Sequence, residues 1–145
     1  YALSRAVLKD SSFEVKSYHG FDANESMLWF AQQIDGDGKF VNSLDQIPIF
    51  HDHVLVIINH VFGQESVAQS DLIAWVDKLV FNCRAGFTLL SIEICGFAPA
   101  NRNISYFRKQ LSFKKIRIQN ELEYLIKGQH KSEKVIRQWS VHPAA

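Results

Sequence analysis

The feature that most constrains this chain is a run of alternating strand and helix signals that starts near residue 53. Val54–Asn59 (VLVIIN) is a continuous apolar run of the length expected for a buried strand. Ser70 then stands as a helix cap, and Leu72, Val76, Leu79, Val80 and Cys83 recur on one helical face until Gly86 ends it. Phe87–Cys95 (FTLLSIEIC) reads as a second strand and Gly96–Asn103 as a loop. A longer helix is expected next, with Phe107, Leu111, Ile118, Leu122 and Leu125 on its buried face and Gly128 after it. Glu133–Val141 supplies a last strand before Pro143. A β-α-β-α-β order predicts an α/β fold, a sheet covered by two helices.

Residues 1–50 read differently and form an N-terminal extension to a domain spanning 51–145. Phe13–Tyr18 (FEVKSY) alternates like a short strand, which His19-Gly20 breaks. Asp22 and Glu25 have the spacing of a capping box, and Met27, Phe30, Ala31 and Ile34 follow at helical spacing. Asp35-Gly-Asp-Gly38 ends that helix, and a polar connection through Pro48 leads onward.

Composition removes several function classes. Sixteen Lys and Arg against fifteen Asp and Glu give a net charge of +1, which supplies no electrostatic case for a nucleic-acid partner. No apolar run approaches the roughly 18 residues of a membrane span. The chain starts at Tyr1 without a methionine, so the lack of a visible signal sequence or lipid anchor constrains nothing. Cys83 and Cys95 fall at opposite ends of a strand, more than about 20 Å apart at ~3.3 Å per residue. A disulfide needs Cα atoms within about 7 Å, so both are expected to be buried thiols.

The chemistry-bearing motifs are thin. The i,i+2 pair His51 and His53, with His60 nearby, lacks a third ligand at any recognised metal-site spacing, so these histidines are expected at strand ends or on the surface. The 35–39 segment opens like a calcium loop but has Lys39 and Phe40 where the loop needs a ligand and a glycine, and is read as a turn. No serine lies in a strand–turn–helix elbow, and neither cysteine has a neighbour that would activate it. Trp29, Trp75 and Trp139 are scattered and read as core packing. The basic stretch Arg102–Arg117 is either a solvated helix face or an anion-facing edge beside a helix start.

Five stretches in series resemble the OmpA-like periplasmic domain family. His53–Asn59 (HVLVIIN) is similar to its first strand, and Ile92–Pro99 (IEICGFAP) lies where its second strand ends in a motif of the type IEGHTD. Leu111-Ser112 and Arg117–Leu125 resemble the two halves of its long helix, and Ser132–Arg137 its last strand, over residues 53–143 in all. The resemblance implies an OmpA-like sandwich of β-α-β-α-β order. It also implies a binding site of Pro99, Asn101, Arg108, Lys115 and Arg117. Pro99 occupies the place of the family's ligand-gripping aspartate, and Lys115 or Arg117 that of its arginine. Proline cannot pair with an ammonium group, so the ligand chemistry is altered.

The implied function is therefore non-enzymatic: a structural part of a Gram-negative envelope assembly, such as a lipoprotein of a type IVB secretion system. The implied place is the periplasm at the outer membrane, with other proteins of the complex as partners. Membrane contact would come only through a lipid anchor outside the chain, and neither cofactor nor metal is called for. The alternative is a peptidoglycan-binding anchor with a rebuilt pocket. A third reading follows from Ala98–Phe113, which also resembles the tail of acyl-CoA N-acetyltransferases. That family needs a glycine-rich phosphate loop, and no glycine occurs between Gly63 and Gly86.

Overall fold

A computed structural model describes residues 17–36, 38–49, 54–64, 68–127 and 133–144. The chain divides into two compact units, Tyr1–Pro48 and Ile49–Ala145.

The N-terminal unit is a small parallel β-α-β arrangement. Strand β1 (His19–Phe21) pairs in parallel with β2 (Lys39–Val41), and helix α1 (Glu25–Ile34) connects them. The expected strand falls largely outside the described residues, and the His19-Gly20 break is itself strand. Gly20 is needed there because a Cβ would collide with the Phe40 ring. The helix cap is Asn24, not Asp22: its side chain accepts the Ser26 N–H, while Asp22 accepts the Asn24 N–H. Both residues can cap, and the one nearer the first helical turn prevails. Of the expected apolar face only Ala31 is buried; Met27, Phe30 and Ile34 are exposed, and so is Trp29.

The second unit is a four-stranded mixed sheet in the order β3-β4-β6-β5. Strands β3 (Leu55–Asn59) and β4 (Phe87–Ile94) run parallel, joined by helix α2 (Gln69–Asn82). Helix α3 (Ala98–Phe113) leads to β5 (Ile116–Ile126), and β6 (Lys134–Pro143) returns antiparallel between β4 and β5. The unit is thus α/β, with a mixed sheet and helices. Right-handed crossovers progressing in one direction put α2 and α3 on the same face. On that face Val56, Ile58, Leu89, Val135, Trp139 and Val141 are buried, met by Leu72, Val76 and Leu79 of α2 and Ile104, Phe107 and Leu111 of α3.

The helix expected to run on through Leu125 ends at Phe113. Lys115 adopts φ 57°, which no α-helix tolerates, and Ile116 and Ile118 then start a strand. A bulge between Gln119 and Leu122 shifts the register against β6. The expected loop at Gly96–Asn103 is mostly helix, because Pro99 sits in the first turn, where its missing N–H costs nothing. Helix α2 begins at Gln69, so Ser70 lies inside it and is not its cap.

Cys83 is buried at the end of α2, but Cys95 is exposed just past β4, which corrects the expectation of two buried thiols. A thiol reagent applied to the native protein should modify Cys95 promptly, and Cys83 only once denaturant is added. Modification of both at one rate without denaturant would contradict this placement.

Candidate functional site

In open α/β sheets ligands bind outside the carboxyl ends of parallel strands. Here those ends belong to β3 and β4, and the segment after β3 is held in place by several independent contacts. His60 takes φ 57°, and its N–H donates to the Ile92 carbonyl at 2.8 Å, tying the end of β3 to β4. A non-glycine residue in this region is uncommon, and the strain of order 1–3 kcal/mol must be offset by its surroundings. Phe62 is wholly buried and meets the Phe107 ring edge-on at 5.2 Å. Its N–H donates to Glu93 Oε1 at 3.0 Å, and its carbonyl accepts Asn103 Nδ2 at 2.6 Å. Gly63 passes so close to Phe97 that a Cβ would lie 3.0 Å from that ring.

Glu93 is the buried acid at this end of the sheet. It lies on the buried face of β4 with 1% of its surface exposed, in a strand otherwise apolar on that face apart from Ser91. Burial raises its pKa above the ordinary carboxylate value, while the Phe62 N–H, the Arg137 charge and the Gly63 N–H act in the opposite direction. His60 Nδ1 stands 3.8 Å from Glu93 Oε2, close enough for charge attraction but too long for a hydrogen bond. Burial, with the nearby charge of Lys134, lowers the His60 pKa and favours the neutral ring. The arrangement joins a neutral imidazole and a buried carboxyl beside the exposed ring of Phe97.

The residues expected to form a binding site are elsewhere and are not one cluster. Pro99 and Asn101 lie in the first turns of α3, and Asn101 is exposed. Lys115 is in the turn after that helix and Arg117 on β5, so the two do not share a helix at all. Arg108 and Arg117 do come together, with Ser112 and Gln119, around a hollow of about 340 Å³ beside β5. Arg108 is already matched by Glu121 Oε2 at 2.7 Å. Ser112 lies thirteen residue steps along the helix from Pro99, roughly 20 Å at 1.5 Å per residue. His51 and His53 lie outside the described residues, and no metal-ligating group of three occurs among the described ones.

Reading the sequence missed Glu93 and Asn103. The signal for Glu93 was present: a lone carboxylate in an apolar strand must be paired or functional. Asn103 had no signal, because only the fold brings it to the Phe62 carbonyl.

No family model and no curated protein matches the chain. Solved structures do. A protein described as a type 11 methyltransferase from Sulfolobus solfataricus matches with a TM-score of 0.62, over 99% of this chain and 78% of that one, at 8% identity. The N-methyltransferase NodS from Bradyrhizobium japonicum WM9 matches with 0.56, over 88% and 74%, at 13%. Magnesium protoporphyrin IX methyltransferase (ChlM) from Synechocystis PCC 6803, solved with bound SAM, matches with 0.50, over 85% and 59%, at 16%. At such identities the likeness is one of fold.

These matches overturn the OmpA-like resemblance. The non-enzymatic reading, as a secretion-machine lipoprotein or peptidoglycan anchor, rested on that resemblance and falls with it. The physical reason lies in Arg117–Leu125: matched to half of a long helix, it is in fact strand β5.

Proposed function

We propose that this chain is a Rossmann-like methyltransferase domain whose crevice at the ends of β3 and β4 serves S-adenosylmethionine-dependent methyl transfer. The observation that carries the reading is the match of 99% of the chain to a methyltransferase fold, with SAM or its product bound in other structures of that fold. S-adenosylmethionine, when bound, supplies an electrophilic methyl group on a sulfonium sulfur. The residues present fit such a group, since the crevice offers a carboxyl, a neutral imidazole and an aromatic face.

In this reading His60 accepts the proton that a nitrogen or oxygen nucleophile gives up as it is methylated. The depressed pKa keeps the ring unprotonated near neutrality, as a proton acceptor must be. Glu93 orients the ring and stabilises the imidazolium that forms. Asn103 and Phe62 hold the loop so that His60 is placed before substrate arrives.

Calorimetry with S-adenosylhomocysteine and photo-crosslinking of labelled S-adenosylmethionine test the proposal. Saturable binding is expected. His60→Ala should bind as the parent does while losing roughly 10²-fold in methyl transfer to an accepted substrate. A folded chain that neither binds nor crosslinks at millimolar ligand would sink the reading.

A further inference from the structure

The sheet of the second unit ends in an edge that nothing described covers. Strand β5 is 11 residues long and pairs with β6 on one side only; among the described residues no strand meets its other side. Native proteins protect such edges with lysines, prolines, bulges or short strands. The bulge at Gln119–Leu122 divides β5, and beyond it the strand has no proline and a single charge, Glu123, before Lys127 follows its end. Leu122, Tyr124, Leu125 and Ile126 are between 45% and 58% exposed, in a sequence, Glu-Leu-Glu-Tyr-Leu-Ile-Lys, with charges at its ends.

That segment is complementary to itself. We infer that β5 pairs antiparallel with β5 of a second copy of this chain, about a two-fold axis through Tyr124, to join the two sheets edge to edge. In this register Tyr124 faces its own copy, Leu122 faces Ile126, Glu123 faces Leu125, and Glu121 faces Lys127. Leu122, Tyr124 and Ile126 share one face of the sheet, as their partners Gln138, Ile136 and Lys134 on β6 require. The two-fold axis is perpendicular to the sheet, so the apolar stripe of one copy continues into that of the other. Glu121 already takes Arg108 at 2.7 Å, and a carboxylate has room for Lys127 of the second copy as well.

Neighbouring registers are worse. Centring on Glu123 sets that carboxylate against itself, and centring on Leu122 sets Glu121 against Glu123, where like charges directly opposite destabilise. Centring on Leu125 pairs Glu123 with Lys127 but sets Leu122 opposite position 128, a glycine with no side chain to pack against it. The interface is isologous, so it closes as a dimer and cannot extend into a fibre.

Sedimentation equilibrium of the full chain tests this. A dimer of twice 16.6 kDa is expected to dissociate on dilution. Tyr124→Lys, which opposes two ammonium groups on the axis at an exposed position, should weaken it at least tenfold with unchanged circular dichroism. In a Cys95→Ser background, Tyr124→Cys should form an intermolecular disulfide under mild oxidation, because symmetry-related Cα atoms in this register lie within bonding reach. A parent chain that stays monomeric at high concentration overturns the proposal. So does a dimer that Tyr124→Lys leaves intact, or a Tyr124→Cys chain that dimerises but does not crosslink.

Discussion

Glu93→Ala is expected to destabilise the folded chain by about 2–4 kcal/mol, whereas Glu93→Gln should stay within about 1 kcal/mol of the parent at neutral pH. Alanine removes the acceptor of the Phe62 N–H and of the Gly63 N–H at a position with 1% exposure. Each buried donor left unpaired costs roughly 1–3 kcal/mol, part of which water entering the crevice would recover. Glutamine keeps an oxygen for the Phe62 N–H and lacks the charge whose burial is unfavourable. The two variants should also separate in pH dependence. Burial is the dominant influence and raises the native pKa, so between the unfolded and native values the folded chain holds more protons than the unfolded one. Parental stability from this group therefore falls as pH rises from the ordinary carboxylate range through the raised native value, and Glu93→Gln loses that slope. His60 acts with the opposite sign: its lowered pKa makes stability rise with pH up to its ordinary value near 6.5. Urea unfolding of both chains from pH 4 to 8 reads the Glu93 contribution, together with its coupling to His60, as their difference. A difference that grows in favour of the parent as pH rises would show that hydrogen bonding, not burial, governs this carboxyl.

How much of this was legible depended on whether one period fitted each segment. Val54–Asn59 and Phe87–Cys95 are mostly apolar, and Leu72, Val76 and Leu79 admit only a helical spacing, so these two strands and α2 could be read directly. The stretch from Ile116 to Ile126 fits both periods. Ile118, Leu122 and Leu125 lie at helical intervals, while Ile116, Ile118, Leu122, Tyr124 and Ile126 alternate. Its Glu, Gln, Arg and Leu content favours helix by propensity. What decides for strand is tertiary: Lys115 turns the chain with positive φ, and β6 pairs along nearly the whole segment. Neither can be read from composition. The same ambiguity puts Arg117 and Lys115 on a helix that in the structure stops before them. The crevice remained hidden for a different reason. His60 was weighed only against other histidines, whereas its partners Glu93 and Ile92 lie more than 30 residues later and meet it through the parallel crossover.

Trp139→Ala is expected to cost about 3–5 kcal/mol, the largest single effect in the second unit. Trp139 is wholly buried at the centre of the sheet, on β6 opposite Leu89, on the face that α2 and α3 cover. A loss of that size is a large part of the roughly 5–15 kcal/mol that stabilises an ordinary domain, so a markedly lower melting temperature should follow. Trp139→Phe should behave quite differently. The indole Nε1 is buried without a hydrogen-bond partner, a condition that itself costs about 1–3 kcal/mol. Phenylalanine gives up some packing but removes that orphaned donor, and the two changes should leave stability within about 1.5 kcal/mol of the parent. Chemical denaturation of both variants reads the comparison directly. If phenylalanine proves as damaging as alanine, the indole N–H has a partner after all and its contribution is polar. Trp139 lies two residue pairs along the sheet from Ser91 and Arg137 and four from Glu93 and Val135. The hydrogen bond and ion pair of Glu93 with Phe62 and His60 do not involve Trp139, so on the methyl-transfer proposal any S-adenosylhomocysteine affinity per folded molecule should be unchanged while stability moves. A joint loss would mean that the packing of this face and the geometry of the crevice are coupled through β4 and β6.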